Sequence, residues 1–143
     1  MIDIRELTDR YAVSPQIAPG DVAALKAAGF DRVICNRPDS EVGPDLAADA
    51  LRAAVEEAGL TWIDNPVSGG GITPDNVVAQ RAAVAPEAGK VFAYCRSGTR
   101  STIVWAFAVA GTMPVDEIIA AAARGGYDLT PYRAQIEALA AAG

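Results

Sequence analysis

The sequence predicts an α/β domain with a mostly parallel central sheet of about five strands, flanked by helices. Three observations predict it. Short stretches rich in β-branched and aromatic residues alternate with alanine-rich stretches of helical period. Proline and glycine punctuate the helical stretches at their starts and stops. Two strand stretches, "RVICN" and "KVFAY", are almost continuously apolar, as strands covered on both faces of a parallel sheet must be, so they are the expected central strands.

Taken in order, "IRELT" and "YAVS" read as the first two strands. "PGDVAALKAAGF" reads as a helix, with Pro19 in its first turn and Gly29 at its stop. "RVICN" follows, then the helix "PDLAADALRAAVEEAG", which ends at Gly59. "TWIDNPV" is the fourth strand. The glycine-rich "NPVSGGGITPDN" joins it to the helix "TPDNVVAQRAAVA", where Thr73 is the expected N-cap and Pro74 the first helical residue. "KVFAY" is the fifth strand, and "TRSTIVWAFAVAG" runs from it as a helix to Gly111. Trp105 and Phe107 on this helix read as core packing. Two helices close the chain, "PVDEIIAAAARGG" and "TPYRAQIEALAAA", the second capped by Thr130.

A chain of 143 residues is long enough for one domain, residues 1–143, with one real hydrophobic core. Apolar residues make up 51% and charged residues 21%, the balance of a compact globular protein. No apolar run is long enough to cross a bilayer, and "MIDIRELTDR" lacks the apolar core of a secretory signal, so the expected compartment is the cytoplasm and no membrane partner is expected. The net charge of −6 argues against a nucleic-acid partner, because a surface of that sign repels a phosphate backbone. The chain has no histidine, which removes Ser-His-Asp and Cys-His mechanisms. A zinc site would have only Cys35, Cys95 and carboxylates to draw on, a poor ligand set, so neither metal nor other cofactor is expected.

In open sheets of this class, ligands bind beyond the carboxyl ends of the strands. Three loops leave those ends here, "NRPDSEVG", "NPVSGGG" and "CRSGTRS". They are expected to converge on one crevice rimmed by Cys95, Arg96, Arg100, Arg37, Asp39, Asp64 and Asp75. Cys35, inside "RVICN", reads as inert core. Cys95 is different, because a polar, cationic, glycine-containing run follows it where a helix begins. The unpaired N–H groups and dipole of that helix, with Arg96 and Arg100 beside them, favour thiolate over thiol. Gly98 permits a backbone turn that aims several N–H groups at one point. The expected result is a nucleophilic sulfur at the bottom of an anion-binding cup. Arg100 would either hold an anionic substrate or clamp the loop. Ser97, Thr99 and Ser101 would either donate hydrogen bonds to a bound group or cap the helix.

The run "YCRSGTRS" resembles the active-site loop of rhodanese-type sulfurtransferases, in which Cys-Arg-x-Gly-x-Arg-Ser recurs. The order of "RVICNRPDSE", the "PV" at Pro66 and Val67, and the cysteine loop resembles the dual-specificity protein tyrosine phosphatase architecture. Together with "GGGITPD" between them, these features are similar to the phosphatase-like domain of the bacterial beta-lactamase-hydrolase-like family over roughly residues 2–110. The resemblance implies a cysteine-phosphatase-like fold. Because members also occur fused to persulfide-dioxygenase-type metal domains, it also implies such a dioxygenase as a partner.

Three departures separate this chain from the phosphatase pattern. The arginine of such phosphatases lies six residues after the cysteine, but here Arg100 comes one earlier and Ser101 takes the sixth place. Tyr94 precedes the cysteine where histidine is usual. Gly69 stands two residues beyond Val67, where such a phosphatase carries its acid. A positioned acid is worth about 10²–10⁴ in rate when an alcohol leaves, whereas sulfite or a low-pKa thiolate leaves without one. The sequence therefore favours sulfur transfer from thiosulfate or a persulfide, through a Cys95 persulfide, to a thiol acceptor. The alternative is a phosphomonoesterase with a Cys95 phosphoenzyme that recruits Asp64 or Asp75 as acid.

Overall fold

The computed structural model describes residues 2–142. Its sheet holds β1 (Arg5–Thr8), β2 (Tyr11–Ser14), β3 (Arg32–Cys35), β4 (Thr61–Asp64) and β5 (Val91–Tyr94) in the order β1-β2-β5-β3-β4. Only the β1–β2 hairpin is antiparallel. The α/β class and the mostly parallel five-stranded sheet are thus present. β5 is the middle strand and β3 its neighbour, as their apolar runs require. β2 is equally buried, because the short β1 takes the edge beside it.

The helices are α1 (Val22–Ala27), α2 (Ala48–Glu57), α3 (Pro74–Ala83), α4 (Thr99–Val109), α5 (Val115–Arg124) and α6 (Arg133–Ala142). Period-2 alternation in the strands sends successive side chains to opposite faces. Phe92, Tyr94, Val33 and Cys35 therefore meet α1 and α2, while Ala93, Ile34 and Val13 meet α3 to α6. Trp105 and Phe107 are buried in the second core. At α3 the Thr73 hydroxyl accepts from Asn76 N–H, with Pro74 at the first helical position. Three helix starts differ from expectation. Pro19–Asp21, Pro44–Leu46 and Thr130–Tyr132 are single 3₁₀ turns, and the α-helices begin later, at Val22, Ala48 and Arg133. Thr130 is no cap of α6, because its hydroxyl donates to Asp128 instead.

Candidate active site

Three loops at the carboxyl ends of β3, β4 and β5 do meet in one place. The cysteine loop is tied down first by its own backbone. Cys95 N–H donates to Ser14 O at 3.4 Å, and Arg96 O accepts from Gln16 N–H at 3.3 Å, so the segment after β2 supports it from one side. Gly98 stands at φ +91°, in the left-handed region, immediately before α4. A Cβ at this position would collide with the Tyr127 hydroxyl, which donates to Ser97 O at 2.8 Å. Both facts require glycine. The outcome of this turn is that Gly98 N–H donates to Cys95 Sγ at 3.1 Å.

Among the described residues, no hydrogen-bond acceptor is found for the main-chain N–H groups of Arg96, Ser97, Arg100 and Ser101. Two of these belong to the first turn of α4, whose dipole places partial positive charge at this end. Cys95 itself is 0% exposed.

Arg100 is held as a fork. Nη1 donates to Glu41 Oε2 at 2.8 Å and to Val67 O at 2.7 Å, and Nη2 donates to Glu41 Oε1 at 2.7 Å. Glu41 is gripped from its other side by Arg37, whose Nε reaches Oε1 at 3.2 Å. Two residues of the loop after β3 and one of the loop after β5 therefore form a single Arg37–Glu41–Arg100 chain, to which the loop after β4 adds the Val67 carbonyl. The hydrogen bonds to Glu41 raise the Arg100 pKa, and the nearby Cys95 sulfur adds to this; those from Arg100 and then Arg37 hold the Glu41 carboxyl below its ordinary value. The N–H groups left on Arg100, Nε–H and one Nη2–H, lie on one edge of the guanidinium. That edge matches two oxygens of a tetrahedral anion.

The remaining predicted residues divide by position. Arg37 is at the site through Glu41, and Arg96 is exposed on the loop. The Ser97 hydroxyl donates to Thr99 Oγ1 at 3.0 Å, and Ser101 is buried and donates to Asn36 Oδ1 at 2.9 Å, so these hydroxyls brace the loop and helix. Asp39 is drawn off to α2, where its carboxylate accepts from Ala48 N–H. Asp64 follows the pleat with Trp62 toward the α2 face. Burial raises its pKa first, and Asp39 adds to the shift. Asp75 sits exposed in the first turn of α3. Neither Asp64 nor Asp75 hydrogen-bonds to the cysteine loop. Tyr94 projects with Cys35 into the α1 and α2 core, where burial raises both pKa values. Among the described residues, no three His, Cys, Asp or Glu side chains gather as metal ligands.

Sequence reasoning missed Glu41, which looks like one more solvated acid in "PDSEVG". It also missed a buried amide cluster. Asn36 Nδ2 donates to Asn65 O and Gln80 Oε1, Asn65 Nδ2 also donates to Gln80 Oε1, and Gln80 Nε2 donates to the Tyr11 hydroxyl. Tyr11 in turn donates to Ser101 O. Polar residues inside apolar runs were the available signal, since a buried amide must find partners. Gln80→Leu leaves these partners unpaired and is expected to destabilise the chain by about 2–4 kcal/mol, measured by urea unfolding.

Glu41→Gln keeps the shape of the clamp and removes its charge. Turnover of any anionic substrate is expected to fall about ten- to hundredfold in kcat/KM. The depressed carboxyl also fixes a pH dependence. Its stabilisation is fully present above the unfolded glutamate pKa of about 4.3 and is lost as pH falls through the lower folded value. The stability advantage of the unaltered chain over Glu41→Gln should therefore hold at pH 6–7 and shrink below about pH 4, as thermal melts across pH will read.

Comparison with known proteins accords with this geometry. Residues 3–112 match the family described as "Beta-lactamase hydrolase-like protein, phosphatase-like domain". A beta-lactamase hydrolase-like protein of Xylella fastidiosa is 33% identical over 128 residues, covering 88% of this chain and 30% of the relative. The chain thus spans about a third of the length of that curated relative. The crystal structure of a "putative phosphatase" from Neisseria meningitidis is similar at TM-score 0.80 and 33% identity, covering 95% of this chain and 97% of that one. A kinase associated phosphatase with its catalytic-site cysteine changed to serine shares the fold at TM-score 0.69 and 16% identity, covering 100% and 97% of the two chains.

Proposed function

The chain belongs to the phosphatase-like domain family of beta-lactamase hydrolase-like proteins, and from that premise we propose that it is a phosphomonoesterase working through a Cys95 phosphoenzyme. The observation that carries the reading is the Arg100 fork, held open by Glu41 and Val67 beside a cup of free amides. In phosphoryl transfer the protein's work is mostly positioning and charge stabilisation, and a guanidinium edge with convergent N–H groups suits three equatorial oxygens. Cys95 thiolate attacks phosphorus, and the P–O bond breaks with its electron pair going to the leaving oxygen. Water then attacks the thiophosphate phosphorus. Cys95 leaves as thiolate, inorganic phosphate departs, and the proton of water passes to solvent.

This order reverses the preference taken from the sequence. Sulfur transfer is the second reading, favoured by one observation: no protonated acid stands at the cysteine loop. Glu41 is held ionised, and Asp64 and Asp75 lie elsewhere. In that reading Cys95 takes the outer sulfur of thiosulfate, sulfite leaves, and a thiol acceptor or a persulfide dioxygenase receives the product.

One assay separates the two. The chain is offered para-nitrophenyl phosphate, and separately thiosulfate with cyanide. Release of phosphate without thiocyanate is expected. Thiocyanate formation with no phosphate release sinks the phosphatase reading and favours the other.

A further inference from the structure

At the opposite end of the sheet from the cysteine loop, where β2 and β5 begin, lies a cavity of about 490 Å³. The β1–β2 turn, the end of α3 and the second half of α4 bound it, and none of residues 95–101 lines it. Its size is that of a small-molecule site. Trp105, Val84, Val109 and Met113 give it an apolar wall, and Tyr11 stacks on Trp105 with ring centroids 5.5 Å apart at 14°. Arg10 and Arg81 stand on the same wall. Arg10 is fixed by donating from Nε to Gly89 O at 3.3 Å and from Nη2 to Ala85 O and Pro86 O at 2.9 and 2.7 Å. Arg81 is fixed by donating from Nε to Ala108 O at 3.0 Å. Among the described residues neither arginine has an ion pair, although the chain carries a net charge of −6 and Asp9 lies on the same rim.

We infer that this cavity is a binding site for a small aromatic monocarboxylate, separate from the cysteine loop. With Nε of Arg81 committed to Ala108 O, the edge formed by Nη1 and Nη2 is the one left for two-point contact. Its two parallel N–H groups match the two oxygens of a carboxylate. Arg10 adds a second positive charge, and Asp9 on the rim favours one negative charge on the ligand over two, because like charges repel. Both guanidinium groups are already held by main-chain carbonyls, so little side-chain freedom is lost on binding. The rest of the ligand meets an apolar wall. Trp105 suits an aromatic ring, and the Met113 sulfur suits the edge of one. The site stands whichever chemistry Cys95 performs, since the two share no residue.

Calorimetric titration of the full chain with 2-naphthoate, its neutral counterpart 2-naphthamide, and acetate tests the site apart from turnover. 2-Naphthoate is expected to bind with a Kd of about 10⁻⁴ M, within reach of a ligand of its size in a preformed pocket. The amide should bind about tenfold more weakly, from loss of the charged contact, and acetate more weakly still, from loss of the ring. Arg81→Gln, at an exposed position, should lower 2-naphthoate affinity about tenfold and leave the amide within about twofold. Thr112→Trp, also exposed, fills the cavity and should abolish binding of both. In NMR spectra the Trp105 indole N–H should shift on addition of 2-naphthoate, while that of Trp62, packed against the α1 and α2 core, stays in place. Equal affinity for acid and amide, affinity unmoved in both variants, or a Trp62 shift without a Trp105 shift overturns the site. Absence of 2-naphthoate binding at about 5 mM does the same. Loss of binding in Arg100→Gln with retention in Arg81→Gln places the ligand at the cysteine loop and overturns it too.

Discussion

Replacing Cys95 with serine is expected to lower turnover by about 10⁴-fold or more, with little change in the melting temperature. The sulfur is held at 3.1 Å by Gly98 N–H, inside a loop where the N–H groups of Arg96, Ser97, Arg100 and Ser101 have no acceptor among the described residues. A serine oxygen fits the same place but stays protonated, because the chain has no histidine to take its proton. The measurement is phosphate release in single-turnover and steady-state assays, with mass spectrometry for a phosphate adduct on Cys95. Retention of a tenth of the activity in Cys95→Ser would show that another group is the nucleophile. Cys35 is the control. It is buried against α1 and α2 with its thiol donated to Arg37 O, and burial raises its pKa. Cys35→Ala should cost some stability and no chemistry.

Gly98→Ala is expected to destabilise the chain by about 3 kcal/mol or more and to remove activity along with stability. Two costs combine. An alanine at φ +91° sits in the left-handed region, which disfavours any Cβ by about 1–2 kcal/mol. That Cβ also collides with the Tyr127 hydroxyl, so the Tyr127-to-Ser97 hydrogen bond breaks or the loop moves. Either movement takes the Gly98 N–H away from Cys95 Sγ. A Tyr127→Ala background separates the costs, since it removes the collision and leaves the dihedral strain. The expected double-variant result is partial recovery of stability in urea unfolding. Full recovery would mean that the left-handed backbone carries no cost here, and no recovery would mean that Tyr127 is not the obstacle.

Tyr127 also shows how the fold shares out the work of holding the loop. It lies after α5, far along the chain from Ser97, and the Arg5 guanidinium of β1 stands 5.3 Å from the centre of its ring. β1 and the segment after α5 therefore meet beside the cysteine loop. Nothing local in "GGYD" announces this, because the contact exists only once α5 packs on β1.

The sequence by itself determined whatever depends on neighbours along the chain. Period and punctuation placed the strands and helices. The unbroken apolar runs marked β3 and β5 as interior strands. Cys95, Gly98 and the start of α4 were legible as one motif, because a strand, a left-handed glycine and a helix N-terminus follow one another without interruption. Tertiary structure decided which charges meet. Glu41 and Arg100 are 59 residues apart in sequence yet form a two-point ion pair, while Asp64, a better candidate on the page of letters, is turned away by the alternation of the pleat. Local conformation is set by backbone sterics and side-chain entropy within a few residues. The partners of a charge are set by sheet order and strand register, which a linear pattern does not encode.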